Sequence, residues 1–165
     1  MYTKDLYKIR GENMIRNANL EDKNIIAAYN YNLAKETEDK ILDFGILEKG
    51  VEAVLKDNSK GIYYIYEEKG KVIGQMMVTK EWSDWRNGEF WWIQSVYVNN
   101  DYRGRGIFKE LYSHVERLVL DNPDLCGLRL YVERNNKNAQ RAYKRLGMEE
   151  TNYKLYELDK TLDKG

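Results

Sequence analysis

The residues best equipped for chemistry in this chain are Arg103, Gly104, Arg105 and Gly106, standing between a strand-forming and a helix-forming run. Before them, Phe90 to Val98 is rich in aromatic and β-branched residues and holds no Gly or Pro, the composition of a strand. After them, Ile107, Phe108, Leu111, Tyr112, Val115, Leu118 and Val119 recur at helical spacing, so an amphipathic helix is expected. A helix N-terminus leaves backbone N–H groups unpaired, and its dipole favours negative charge there. Glycines without Cβ let a ligand approach the main chain, and Arg103 and Arg105 add cationic donors. Such a join suits a phosphate or pyrophosphate.

Two common phosphate loops are excluded by detail. A nucleoside-triphosphate loop needs Gly-Lys-Ser/Thr where this chain has Gly106-Ile107-Phe108, and a dinucleotide fingerprint needs a third glycine where it has Lys109. The run Arg103-Gly104-Arg105-Gly106-Ile107-Phe108 instead resembles the signature of the GNAT N-acetyltransferase superfamily, Gln/Arg-x-x-Gly-x-Gly/Ala, with Phe108 in place of the final small residue. A second stretch, Asn136, Ala139, Tyr143 and Gly147-Met148, is similar in register to the family's C-terminal motif.

The resemblance implies acetyl-CoA as cosubstrate and transfer of its acetyl group to a primary amine of a small molecule, or to a peptide or protein amino group. The backbone of Arg103, Gly104, Arg105, Gly106, Ile107 and Phe108 would wrap the pyrophosphate. Val96, Tyr97 and Val98 would bond the pantetheine arm and the acetyl carbonyl, donors of the oxyanion-hole kind. A bulge parting that strand from the next is a family feature. Tyr143 would be the general acid beside the cofactor sulfur, with Asn136 and Ala139 near the cofactor arm; Asn136 is equally suited to capping a helix. An alkyl amine is mostly protonated at pH 7 and needs a base or a water path; Glu89 and Glu133 are the candidates. Trp82, Trp85, Trp91 and Trp92, with Glu36, Glu38 and Asp84, would suit a cationic acceptor, with Glu36, Trp82, Asp84 and Trp85 the substrate set. The tryptophans equally suit a homodimer interface. The alternative function is a catalytically silent CoA-binding regulatory module.

His114, the single histidine, reads as structural, and Cys126 has no histidine beside it to make it a nucleophile. One Cys and one His leave no basis for a metal site. With 27 basic and 27 acidic residues the net charge is zero, so neither nucleic acid nor a membrane surface is an expected partner. One cysteine, no spanning apolar run and no charged-then-apolar leader point to the cytoplasm.

The elements that must position these residues follow in chain order. Residues 1–13 read as an extension and 14–160 as a single domain. A strand starts at Met14; a helix follows a cap at Asn19; a second helix covers Leu47 to Leu55. Ile62 to Tyr66 and Val72 to Val78 form a hairpin about Gly70, and Lys80 to Glu89 is a loop. The central strand and helix come next, then a strand at Leu128 to Val132, a helix stopped by Gly147, and a last strand at Tyr153 to Leu158. The order predicts an α+β fold, a mixed, mostly antiparallel sheet with helices on both faces, as in the GNAT-like acyl-CoA N-acyltransferase fold.

Overall fold

The computed structural model describes residues 7–10 and 12–161. The chain divides into two compact units, one ending at Tyr131 and one beginning at Val132.

The first unit is built on a six-stranded sheet whose strands lie side by side in chain order. They are β1 (Tyr7–Arg10), β2 (Asn13–Asn17), β3 (Ile62–Glu68), β4 (Lys71–Ser83), β5 (Gly88–Val98) and β6 (Leu125–Leu130). All neighbours are antiparallel except β5 and β6, which the helical crossover makes parallel. The expected extension thus contains a strand, β1, paired with β2.

Helix α1 (Lys23–Glu38) follows a 3₁₀ turn at Leu20–Asp22 that Asn19 caps: its side chain accepts from Glu21 N–H while Asp22 accepts from Asn19 N–H at 2.8 Å. Arg16 grips the same Asp22 with two donors at 2.8 and 3.0 Å, tying β2 to the helix start. Helix α2 (Phe44–Lys56) is capped by Asp43, which accepts from Ile46 N–H. Ile26, Ala27 and Val51 from these helices bury Tyr63, Ile65 and Met77 on one sheet face. Helix α3 (Ile107–Asp121) covers the other face: Ile107 and Leu111 lie over Gly74, and the buried His114 meets the Tyr64 ring edge-on at 5.3 Å. With both faces covered, β3 is apolar at successive positions, Ile62-Tyr63-Tyr64-Ile65-Tyr66, and every one is buried.

The β3–β4 hairpin turns on Lys69-Gly70, both with positive φ (50° and 75°), the two-residue turn that matches strand twist. The segment read as a loop, Lys80 to Glu89, is mostly strand. β4 runs on to Ser83 and β5 starts at Gly88, with ladder pairs down to Ser83↔Gly88. Its charged residues disguised it, because between Lys80 and Glu89 only Gly88 is buried. β6 likewise starts earlier than expected and ends at Leu130.

The second unit holds α4 (Lys137–Arg145). Asn136 caps it, accepting from Ala139 N–H at 3.0 Å, and Gly147 ends it with φ 87°. The strand expected at Tyr153 to Leu158 is not formed: these residues have no regular structure, and Tyr153, Leu155, Tyr156 and Leu158 are exposed.

Candidate active site

Beyond Val98 the chain turns through Asn99, whose N–H reaches the Ile73 carbonyl at 2.9 Å and whose side chain accepts from Asp101 N–H. The glycine loop follows. Gly104 and Gly106 take left-handed φ values of 77° and 81°, and among the described residues nothing lies within 4 Å of where a Cβ would stand on either. Glycine is needed there for backbone conformation, and the surface above is open to a ligand. Among the described residues no side chain caps α3, so its first-turn N–H groups have the unpaired character that suits an anion.

The two loop arginines are already engaged. Arg103 donates from Nε to the Val98 carbonyl at 2.9 Å and from Nη2 to Glu36 at 2.7 Å, with its guanidinium 5.2 Å from the Tyr97 ring centre. The Tyr97 hydroxyl donates to the same carboxylate at 2.9 Å, and the Asn100 amide adds a longer bond. Burial pushes the Glu36 carboxyl upward, but the Arg103 and Tyr97 hydrogen bonds and the Arg103 charge outweigh it and hold Glu36 below its usual value. Arg105 grips Glu68 at 2.6 and 3.3 Å, and its hydrogen bond holds that carboxyl low as well. The arginines therefore brace the loop against α1 and β3.

Upstream of the loop, β5 carries an extra residue. Gln75 pairs with Tyr97 and Met77 with Gln94, so Ser95 and Val96 together oppose Met76, and Ser95 takes φ 49°. This is a β-bulge. On the opposite edge the parallel pairing with β6 stops at Ile93↔Leu130. The two parallel strands part immediately before the bulge, and among the described residues no strand pairs with Ser95 to Val98 on that side.

Next to the parting, the sheet face shared with Gln75 carries Thr79, Glu81, Phe90, Trp92, Gln94 and Arg129. Glu81 accepts from Trp92 Nε1 and from Arg129 at 3.1 Å, while Gln94 donates to Thr79 at 2.7 Å. Trp92 stacks on Tyr131 at 4.5 Å between ring centres, and Arg129 lies 3.7 Å above the Phe90 ring. Glu81 lies where charged neighbours give the sequence a loop-like composition; the period-two alternation of Thr79 and Glu81 is the signal that places it on a strand.

Several expected site residues stand elsewhere. Glu89 is the second residue of β5, six residues before Ser95 and about 20 Å away at about 3.3 Å per residue, out of reach of direct proton transfer at the bulge. Trp82, Asp84 and Trp85 lie at the tip of the β4–β5 hairpin, with Trp82 and Trp85 61% and 87% exposed. Trp91 is buried while its neighbour Trp92 faces the opposite side of the sheet, so the four tryptophans form no single cluster. In the second unit, Glu133 accepts from Asn135 N–H at 2.7 Å, and burial pushes the Tyr143 phenol above its usual value. A cavity of about 540 Å³ lined by Leu20, Val54, Leu55, Gly61 and Tyr63 sits at the far end of β3 from Glu68, away from the glycine loop.

Comparison with known proteins gives one family and many similar folds. The model of the acetyltransferase (GNAT) family matches residues 22–148. No curated protein shows a significant sequence match. Among solved structures, a protein described as a possible acetyltransferase from Clostridium difficile 630 is 48% identical, with TM-score 0.87, over 90% of this chain and 98% of its own. A predicted acetyltransferase from Clostridium acetobutylicum, solved with acetyl-CoA, has TM-score 0.72 at 18% identity over 89% of this chain and 96% of its own. The ribosomal-protein-alanine N-acetyltransferase of Brucella melitensis biovar Abortus 2308 has TM-score 0.72 at 16% identity, over 89% and 98% respectively. The last two share the fold.

Proposed function

The chain belongs to the acetyltransferase (GNAT) family, and we propose that it transfers the acetyl group of acetyl-CoA to a primary amine by direct attack. The observation that carries this reading is the parting of β5 from β6 at Ile93, beside a bulge and a left-handed glycine loop. Acetyl-CoA supplies the activated acyl thioester. The residues present fit it: an uncapped helix N-terminus for a pyrophosphate and unpaired strand backbone for an amide-bearing arm.

In this reading the amides from Gly104 to Phe108 hold the pyrophosphate, and the backbone from Val96 to Val98 aligns the arm. The Val96 N–H polarises the acetyl carbonyl as it gains charge. Tyr143 gives its proton to the leaving thiolate, and its raised pKa keeps that proton in place at neutral pH. The acceptor approaches over Glu81, Trp92 and Tyr131, where a carboxylate and aromatic faces favour a cationic amine before it loses its proton. Asn136 serves as a helix cap, and Glu133 is the remaining carboxylate from the sequence expectation for taking the amine proton, directly or through water.

Calorimetric titration with acetyl-CoA, propionyl-CoA, free CoA and ATP tests the first half. Binding shared by the CoA compounds and absent for ATP supports it, and no binding overturns it. Thiol release from acetyl-CoA in the presence of a panel of primary amines tests the second half. Binding without turnover of any amine would leave the silent CoA-binding module instead.

A further inference from the structure

Beneath the bulge lies a buried polar group that apolar packing alone would not call for. Gln75 is fully buried on β4, and a leucine or methionine would fill its volume without a polar atom to satisfy. Its Nε2 donates to Asn30 Oδ1 at 2.7 Å and to the Ser95 carbonyl at 3.1 Å. Asn30, on α1, in turn donates to the buried Tyr63 hydroxyl at 2.9 Å. The Gln75 Oε1 atom has no hydrogen-bond partner among the described residues. What this buried amide holds is the carbonyl of the one β5 residue with left-handed backbone.

The consequence follows from peptide geometry. The Ser95–Val96 peptide is planar and trans, so its C=O and N–H point in opposite directions. Holding the Ser95 carbonyl toward Gln75 on the α1 side aims the Val96 N–H away from it. That N–H falls within the bulge, where one residue of β4 opposes two of β5 and the regular ladder is interrupted. We propose that Gln75, steadied by Asn30, is a positioning residue that fixes the direction of the Val96 N–H and so aims the donor that stabilises the acetyl carbonyl. This rests on the acetyltransferase reading above. Gln75 touches no reacting atom and acts through the Ser95–Val96 peptide.

The test compares backbone amide NMR spectra of the full chain and of Gln75→Leu, each titrated with acetyl-CoA and with free CoA, which lacks the carbonyl. In the unmutated protein both ligands should shift the Gly104 and Gly106 amides, and only acetyl-CoA should add a downfield shift at Val96. In Gln75→Leu the glycine shifts should persist while the acetyl-specific Val96 shift is lost. Turnover of acetyl-CoA should fall at least tenfold, with its affinity changed less than threefold. Retention of the Val96 shift and turnover in the variant would overturn the positioning role. Absence of glycine shifts in the unmutated protein would overturn the acetyl-CoA reading itself. If the leucine variant does not fold, Gln75→Met carries the same comparison with a closer shape.

Discussion

Glu36, near the C-terminal end of α1, holds Arg103 of the glycine loop at 2.7 Å, so the first helix and the anion cradle share one ion pair. The pair places a carboxylate next to the loop where a pyrophosphate would lie, and its attraction to Arg103 competes with that of any bound anion. Glu36→Gln keeps the shape and removes the charge. Acetyl-CoA affinity should then rise about two- to fivefold at low salt, up to about 1 kcal/mol for one charge in a wet setting, and the gain should shrink at high salt. Calorimetry at two ionic strengths checks both parts.

The same carboxyl gives a pH dependence with a definite sign. Its folded pKa lies below the usual 4.5, so its contribution to stability is complete above the unfolded value and is lost as pH falls through the folded one. The Glu36→Gln chain should match the unmutated chain most closely in acid below that window and differ most at neutral pH. Thermal melts between pH 3 and 7 measure the difference.

Gly106 and Gly74 are needed for opposite reasons, and alanine at each should separate them. At Gly106 the Cβ meets nothing but the φ of 81° is unfavourable, a strain of roughly 1–2 kcal/mol. At Gly74 the Cβ would stand 2.9 Å from Ile107 Cγ2, an overpacking that costs typically 1–3 kcal/mol. Gly106→Ala should weaken acetyl-CoA binding beyond its effect on melting. Gly74→Ala should chiefly lower the melting temperature by moving α3 off β4.

Tyr143→Phe removes the proposed acid and leaves the ring. Turnover should drop about 10²- to 10⁴-fold, the usual worth of positioned proton transfer, while the acetyl-CoA dissociation constant stays within about twofold. Because burial raises the phenol's pKa, any alkaline loss of kcat due to Tyr143 belongs above pH 10 and should vanish from the residual activity of the variant. Equal loss of binding and turnover would remove the role.

Glu81→Gln tests the acceptor side. Glu81 accepts from Trp92 and Arg129 with separate oxygens, so the single amide oxygen of Gln keeps one of the two bonds, while the backbone ladder of β4 and β5 holds the sheet as the charge goes. The KM for a cationic amine should rise roughly tenfold, about 1.4 kcal/mol, with acetyl-CoA affinity unchanged. An unaltered KM would place the acceptor elsewhere.

The elements legible in the sequence were those whose pattern is local. The α3 stripe, the Asn19 and Asn136 caps and the Gly70 turn depend on residues a few positions apart, and each stands where its pattern put it. The outer half of the β4–β5 hairpin was hidden because Lys80, Glu81 and Asp84 look like loop residues. They are strand or turn residues on a stretch of sheet that stays partly or fully exposed. The partners of the loop arginines were equally hidden, since Glu36 and Glu68 come from sequence-distant elements and only the folded register brings them together. Gln75 reads locally as a polar interruption in an apolar strand; its use appears only when Asn30 and the Ser95 carbonyl are found beside it.

The extra residue at Ser95–Val96 also changes how the strand counts. Gln94 and Tyr97 are three apart, yet both face α1, because the bulge advances the alternation by one. Removing a single residue there would restore an ordinary alternation and throw Tyr97 onto the α3 side, away from Glu36, carrying Val98 and the glycine loop out of phase with it. This stretch should therefore accept changes of side chain far more readily than changes of length, and insertions or deletions between Gln94 and Arg103 should be the most damaging lesions the first unit can suffer.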